Sequence, residues 1–184
     1  IDRFLKDFIS LLLLKKIKPN KIFDVFKYIE YLSFFSGNNK HYLKKIVSKK
    51  EVKNNQITIT DAIGNNQDIL LKIDIEGDEY KVLSEVDKNF NKINLVIIEF
   101  HDLQKNLKKI KNFIKKTKLK NIHINANNYG MVGVNGIPQV IEMTLINSKK
   151  FKIKNSKTKR NYPIKGLDFK NRKRGPDIQI AFEK

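Results

Sequence analysis

An α/β fold built on a mainly parallel sheet is what this sequence predicts, and three features of residues 69–146 predict it. Short apolar strands recur at residues 69–73, 94–98 and 121–124, each running into polar residues. Between them lie segments whose apolar residues fall three and four apart, the spacing of a helix with one buried face. The run Leu95-Val96-Ile97-Ile98 is apolar without interruption, the mark of a strand covered on both faces. Strands joined through helices cross over right-handed and point the same way, so their carboxyl ends share one edge of the sheet.

Taken in order, residues 1–18 place Phe4, Leu5, Phe8, Ile9, Leu12 and Leu13 at helical spacing, with Pro19 as the stop. Residues 22–35 predict a second helix, in which Phe23, Phe26, Tyr28, Tyr31, Phe34 and Phe35 are expected to pack in a core, and Ser36-Gly37-Asn38-Asn39 ends it. Residues 38–67 are polar, apart from a strand candidate Ile57-Thr58-Ile59-Thr60 and a turn at Asn65-Asn66. After the strand at 69–73, Tyr80, Leu83, Val86 and Phe90 supply the buried face of a helix. After the strand at 94–98, Asp102 is the expected N-cap of a helix buried through Leu103, Leu107, Ile110 and Ile114. The strand at 121–124 leads through a loop with Gly130, Gly133 and Gly136 to a last strand at 139–146. From residue 148 a basic extended tail is expected to wrap the core, anchored by Tyr162, Ile164, Leu167, Phe169, Ile178, Ile180 and Phe182. The organisation is thus a helical and irregular segment at 1–67, an α/β core at 68–147 and a tail at 148–184.

Composition narrows the function classes. With 184 residues and 40% hydrophobic content the chain suits one ordinary core. It has no cysteine, which excludes disulfides and thiolate metal sites and suits the cytoplasm. The formal charge is +19, yet only Arg3, Arg160, Arg172 and Arg174 among the 38 basic residues are arginines. Arginine is the better bidentate reader of phosphate, so this lysine excess reads first as a solvated surface, with a basic nucleic-acid-binding protein as the weaker alternative. The apolar run at residues 8–14 is far below the ~20 residues of a membrane span.

Chemistry is expected where the three strands end, because open parallel sheets bind ligands at that edge. Convergence brings together Asp74 and Glu76, then Glu99, His101 and Asp102, then Asn125, Asn127 and Asn128. Glu99 closes an apolar strand, and a carboxylate there needs a compensating partner such as His101 or a ligand. His123 falls inside a strand and reads as a hydrogen-bonded core histidine. No Gly-x-Gly-x-x-Gly, phosphate loop or nucleophile elbow is present. Asp74, Glu76, Glu99, His101 and His123 have metal-ligand chemistry but match no compact metal motif, so no metal is expected.

The segment Lys72-Ile73-Asp74-Ile75-Glu76-Gly77-Asp78-Glu79 closely resembles the hallmark of FkbM-type methyltransferases. Glu99-Phe100-His101 resembles that family's second strand end, and Asn127-Asn128-Tyr129, continuing to Pro138 and Glu142, its hairpin region. Residues 162–177 resemble the tail of one branch. The resemblance implies a Rossmann-like class I methyltransferase sheet, mainly parallel with an antiparallel last strand. It also implies S-adenosylmethionine as methyl donor and a hydroxyl on a sugar or secondary metabolite, a small-molecule or glycan acceptor, as the target. Asp74, Glu76, Glu99 and His101 are then the candidate catalytic residues, with His101 or Asp74 as base. Asp102, Asn125, Asn127 and Asn128 are candidates for substrate binding.

One departure accompanies the resemblance. The class opens with a strand, a glycine-rich turn for the methyl donor and a later acidic residue for its ribose, and residues 1–67 offer only the isolated Gly37 and Gly64. The sheet is therefore expected to be incomplete on its amino-terminal side, and the chain, which starts at Ile1, to be a truncated form. A non-catalytic remnant serving as a binding or scaffold domain is the alternative.

Overall fold

The computed structural model describes residues 20–36, 45–47, 55–133, 135–154 and 161–180. The chain divides into two compact units, Ile1–Leu43 and Lys44–Lys184. The helix expected at residues 1–18 lies outside the described residues.

In the first unit, helix α1 spans Asn20–Phe34. Its existence follows the expectation, but full burial of the described aromatics does not: Phe26, Tyr31 and Phe34 are exposed, as are Ile29 and Leu32, and Phe35 is half-buried. Along the helix Tyr31 and Phe34 are each edge-on to Phe35 at 4.9 Å between ring centroids.

The second unit carries two short strands, β1 (Lys45–Ile46) and β2 (Gln56–Ile57), paired in parallel. Helix α2 (Ile59–Ile63) follows at once. The strand expected at Ile57-Thr58-Ile59-Thr60 is thereby corrected: only Ile57 is in a strand. Alternating Ile and Thr mimics a half-buried strand, but Thr58 accepts from the Asp61 amide and Asp61 returns the bond to the Thr58 amide. That capping box turns the chain into a helix.

The main sheet holds β3 (Ile69–Ile73), β4 (Ile93–Phe100), β5 (Leu119–Ala126) and β6 (Ile141–Asn147) in the order β3-β4-β6-β5. Strands β3 and β4 are parallel, and β6 runs antiparallel to both β4 and β5. The last strand is thus antiparallel as expected, and β3, β4 and β5 all point the same way. Two of the three pairings are nevertheless antiparallel, because β6 inserts between β4 and β5. Strands β4 and β5 run beyond the expected spans, which puts Glu99 and Asn125 inside the ladder and not after it.

Helices α3 (Glu79–Lys88) and α4 (Leu103–Lys116) connect β3 to β4 and β4 to β5. Val82, Leu83 and Val86 of α3 and Leu103, Ile110 and Phe113 of α4 join Val96, Ile98, Phe100, Ile141, Met143 and Leu145 in one core. These strand residues alternate, so they occupy one face of the sheet. On the other face Leu70 is exposed and Leu95 and Ile97 are half-buried, and no residue of β4 is exposed, as expected of a strand covered on both faces. Asn147, at the end of β6, is 1% exposed and donates to the Phe90 and Ile93 carbonyls at 2.7 and 2.9 Å. It ties the loop that feeds β4 to the far end of its neighbour.

The segment after β6 has no regular element among its described residues, and Tyr162 bridges Ile180. Tyr162, Ile164, Ile178 and Ile180 are partly buried, as anchors should be. Leu167 and Phe169 are not: they are 60% and 78% exposed. Neighbouring polar residues do the anchoring there, which hydropathy alone does not report. Phe182 lies outside the described residues.

Asn147→Ala removes three side-chain hydrogen bonds, those to the Phe90 and Ile93 carbonyls and the one from the Lys149 amide, and is expected to lower the unfolding free energy by about 1–3 kcal/mol. Leu70→Ala, on the exposed face, should change it by less than ~0.5 kcal/mol. Urea denaturation of both variants measures the difference.

Candidate active site

The turn between β3 and α3 builds the first part of the site. Ile73 ends β3 in the core, and Asp74-Ile75-Glu76-Gly77-Asp78 swings the chain into α3. Glu76 sits at φ 54° and Gly77 at φ 102°. A left-handed pair of this kind suits glycine and is unfavourable for glutamate, so something outside the pair has to hold it. The hold comes from Glu79, the first residue of α3, which is completely buried. Its Oε1 accepts from the amides of Gly77 at 2.9 Å and Ile75 at 3.3 Å. A carboxylate at the first turn of a helix also meets the positive end of the helix dipole.

The same Oε1 lies 3.0 Å from Nδ1 of His101, which stands just past β4. An ionised carboxylate only accepts, so Nδ1 of a neutral His101 carries the proton and Nε2 offers its lone pair. The Tyr80 hydroxyl donates to the His101 carbonyl at 2.5 Å and stacks on Phe100, fixing the backbone on either side of the ring. Burial pushes the Tyr80 phenol above its ordinary pKa, and the Glu79 and Asp102 carboxylates push the same way. It therefore stays a neutral donor.

Nε2 of His101 faces Glu76 Oε2 at 3.4 Å and Glu99 Oε1 at 3.6 Å. A lone pair and two carboxylate oxygens converge there, which makes the spot an acceptor site for hydrogen-bond donors. Glu99 is 8% exposed and accepts from Asn127 Nδ2 at 2.9 Å, while Asn127 Oδ1 accepts from the Tyr129 amide. In the ladder Glu99 pairs with Glu142, and Glu142 with Asn125, so these three side chains form a row across one face. Lys72 reaches across from β3 to Glu142. Glu99, Asn125, Asn127 and Glu142 line a cavity of about 180 Å³.

Asp74, Glu76, Glu99, His101, Asn125 and Asn127 thus stand at one edge of the sheet. The other two expected residues have different surroundings. Asp102 occupies the N-cap position of α4 but in a left-handed conformation (φ 48°) with no side-chain cap bond. It is exposed and pairs with Lys105 at 3.7 Å, so its expected role as a capping side chain is corrected. Asn128 accepts from the Arg172 amide at 2.7 Å and donates to the carbonyls of Arg172 and Pro176, which holds the tail. His123 is satisfied, with Nε2 2.7 Å from Asp168 Oδ1.

Asp74, Glu76 and His101 can each bring one ligand atom to within 4.8 Å of the other two. Both acids are exposed, and Glu76 keeps 86% of its side chain in solvent, an arrangement that exposed acids adopt commonly without an ion. Sequence reasoning missed the role of Glu79. The one signal was its place in the first turn of the helix after a glycine turn, where a carboxylate is favoured. Among the described residues, no helix is long and apolar enough to cross a membrane.

The family model described as the methyltransferase FkbM domain matches residues 17–130, more than half of the chain. No curated protein and no solved structure matches it.

Replacing Glu79 by Gln should abolish the fixed tautomer of His101. Long-range proton–nitrogen NMR of the neutral ring is expected to show the proton on Nδ1 in the parent chain and a mixture in Glu79→Gln. Identical spectra would mean that Glu79 does not set the ring.

Proposed function

The chain belongs to the FkbM methyltransferase-domain family, and from that membership we propose that it moves a methyl group from S-adenosylmethionine to the hydroxyl oxygen of a small-molecule or glycan acceptor. Methyltransferases of this kind generally use that donor. The observation that carries the reading is the buried Glu79 holding His101 so that Nε2 looks into the convergence of Glu76 and Glu99. A hydroxyl is a poor nucleophile until its proton has somewhere to go, and an oriented imidazole is the usual recipient at neutral pH.

The strand ends fit the reacting end of the donor by charge. Asp74 and Glu76 are exposed carboxylates suited to a sulfonium cation, and nothing lies within 4 Å of where a Cβ on Gly77 would stand. When bound, S-adenosylmethionine supplies an electrophilic methyl group and departs as a neutral thioether. His101 Nε2 accepts the proton of the acceptor hydroxyl. Glu79 keeps the Nδ1 proton in place and stabilises the imidazolium that results. Glu99, held by Asn127, orients the acceptor through a second hydroxyl. Orientation of this kind contributes as much as proton transfer, because the oxygen must lie in line with the bond being broken.

A Rossmann-like class I sheet agrees with the parallel β3–α3–β4 unit and the antiparallel β6. Cytoplasmic residence rests on the cysteine-free composition.

His101→Gln is expected to lower kcat by about 10²–10⁴-fold with little change in the KM for S-adenosylmethionine. Methyl-labelled donor and a panel of neutral glycosides and phenols measure both. The reading fails if the intact chain binds no S-adenosylmethionine by isothermal titration, or if His101→Gln turns over at the parent rate.

A further inference from the structure

The cavity beside Glu99 has a second wall, and residues beyond the matched region 17–130 build it. Leu167, Asp168, Phe169 and Asn171 face the four sheet residues across it. This stretch has no regular secondary structure, yet it is pinned at both ends. Asp168, whose side chain is 5% exposed, accepts from the Ile164 amide at 2.6 Å and is 2.7 Å from His123 Nε2. Four residues on, the Arg172 amide and carbonyl are held by Asn128. Between these pins Phe169 stands 78% exposed at the cavity's edge, and Leu167, just before the first pin, is 60% exposed. A phenyl ring held in water by a fixed backbone is apolar area waiting for a cover.

The chemistry of the two walls defines that cover. The sheet wall offers the Glu99 carboxylate and the Asn125 and Asn127 amides, so it suits a ligand edged with hydroxyl donors. The opposite wall offers Phe169 and Leu167, which suit a flat apolar C–H face. Fixed charge at the cavity is negative: Glu142 is neutralised by Lys72 and Asp168 is engaged by His123, which leaves Glu99 unneutralised by a lysine or arginine. That disfavours an anionic occupant. A volume of about 180 Å³ is below the ~300 Å³ of sites for drug-sized ligands, so one ring fits and a chain of rings does not. Glu99 lines the cavity and stands 3.6 Å from His101, so it links the occupant's edge to the proposed base.

We infer that the tail segment 167–171 is the acceptor-selecting wall of this site, and that Phe169 stacks on a neutral, polyhydroxylated ring whose hydroxyl edge faces Glu99. The inference rests on the methyl-transfer reading for its meaning but not for its test. Saturation-transfer NMR on the full chain, without methyl donor, uses the methyl α-pyranosides of glucose, galactose and mannose as probes, with glucuronate as the anionic control. At least one neutral glycoside is expected to receive saturation through its ring C–H protons, and glucuronate none. Phe169→Ala should weaken that binding about fivefold or more, and Phe169→Trp should retain it. Circular dichroism of both variants should match the parent, since the side chain is exposed.

Binding of no neutral glycoside, equal binding of glucuronate, or unchanged binding in Phe169→Ala would each overturn the inference. Binding as expected without methylation once S-adenosylmethionine is added would uphold it and defeat the methyl-transfer reading instead.

Discussion

One oxygen atom, Oε1 of Glu79, organises this site. It receives the amides of Ile75 and Gly77 and the imidazole of His101, and so joins the turn after β3 to the end of β4. Glu79 is fully buried, and its Oε2 has no hydrogen-bond partner among the described residues. Burying a carboxylate in this state is costly, and each charged hydrogen bond returns only about 1.5–3 kcal/mol. Such a residue contributes little net stability compared with an apolar one of the same size. What it does contribute is position: it holds Glu76 and Gly77 in left-handed backbone, and it leaves a single ring nitrogen of His101 free to react.

The sheet order puts the remaining groups in reach. Because β6 lies between β4 and β5, Glu142 is directly opposite both Glu99 and Asn125, and a polar row crosses a face that is otherwise half-apolar. The row lies on the side away from α3 and α4, where the tail crosses by way of His123 and Asp168. Two surfaces with different tasks result. The helix side is close-packed and carries the stability, while the tail side is polar, open at Leu70 and able to take a ligand.

Much of this was legible in the sequence, for physical reasons that differ by element. Strand β3 fell where expected because its apolar run is bounded by Asp68 and Asp74, residues that neither extend a strand cheaply nor bury. Strands β4 and β5 ran longer than expected because Glu99 and Asn125 look like strand ends by polarity, whereas pairing with Glu142 keeps them in the ladder. The alternation at Ile57-Thr58-Ile59-Thr60 misled because a capping box is a local hydrogen-bond event, invisible to periodicity. Asp74, Glu76, Glu99 and His101 came to one edge as the topology required. Glu79 escaped notice because a buried acid looks like an exposed one until its donors are known. The exposure of Phe169 escaped it too, because a polar neighbour, Asp168, does the anchoring.

The central claim is that Glu79 and His101 act as one unit in proton transfer, and a double-mutant cycle on methyl transfer tests it most directly. Glu79→Gln, His101→Gln and the double variant are compared by kcat/KM for one acceptor, with folding checked by circular dichroism. Residues that act as a unit are strongly non-additive, so the double variant is predicted to be no slower than His101→Gln alone. Losses that multiply, with the double variant slower than either single one by the full product, would contradict the account.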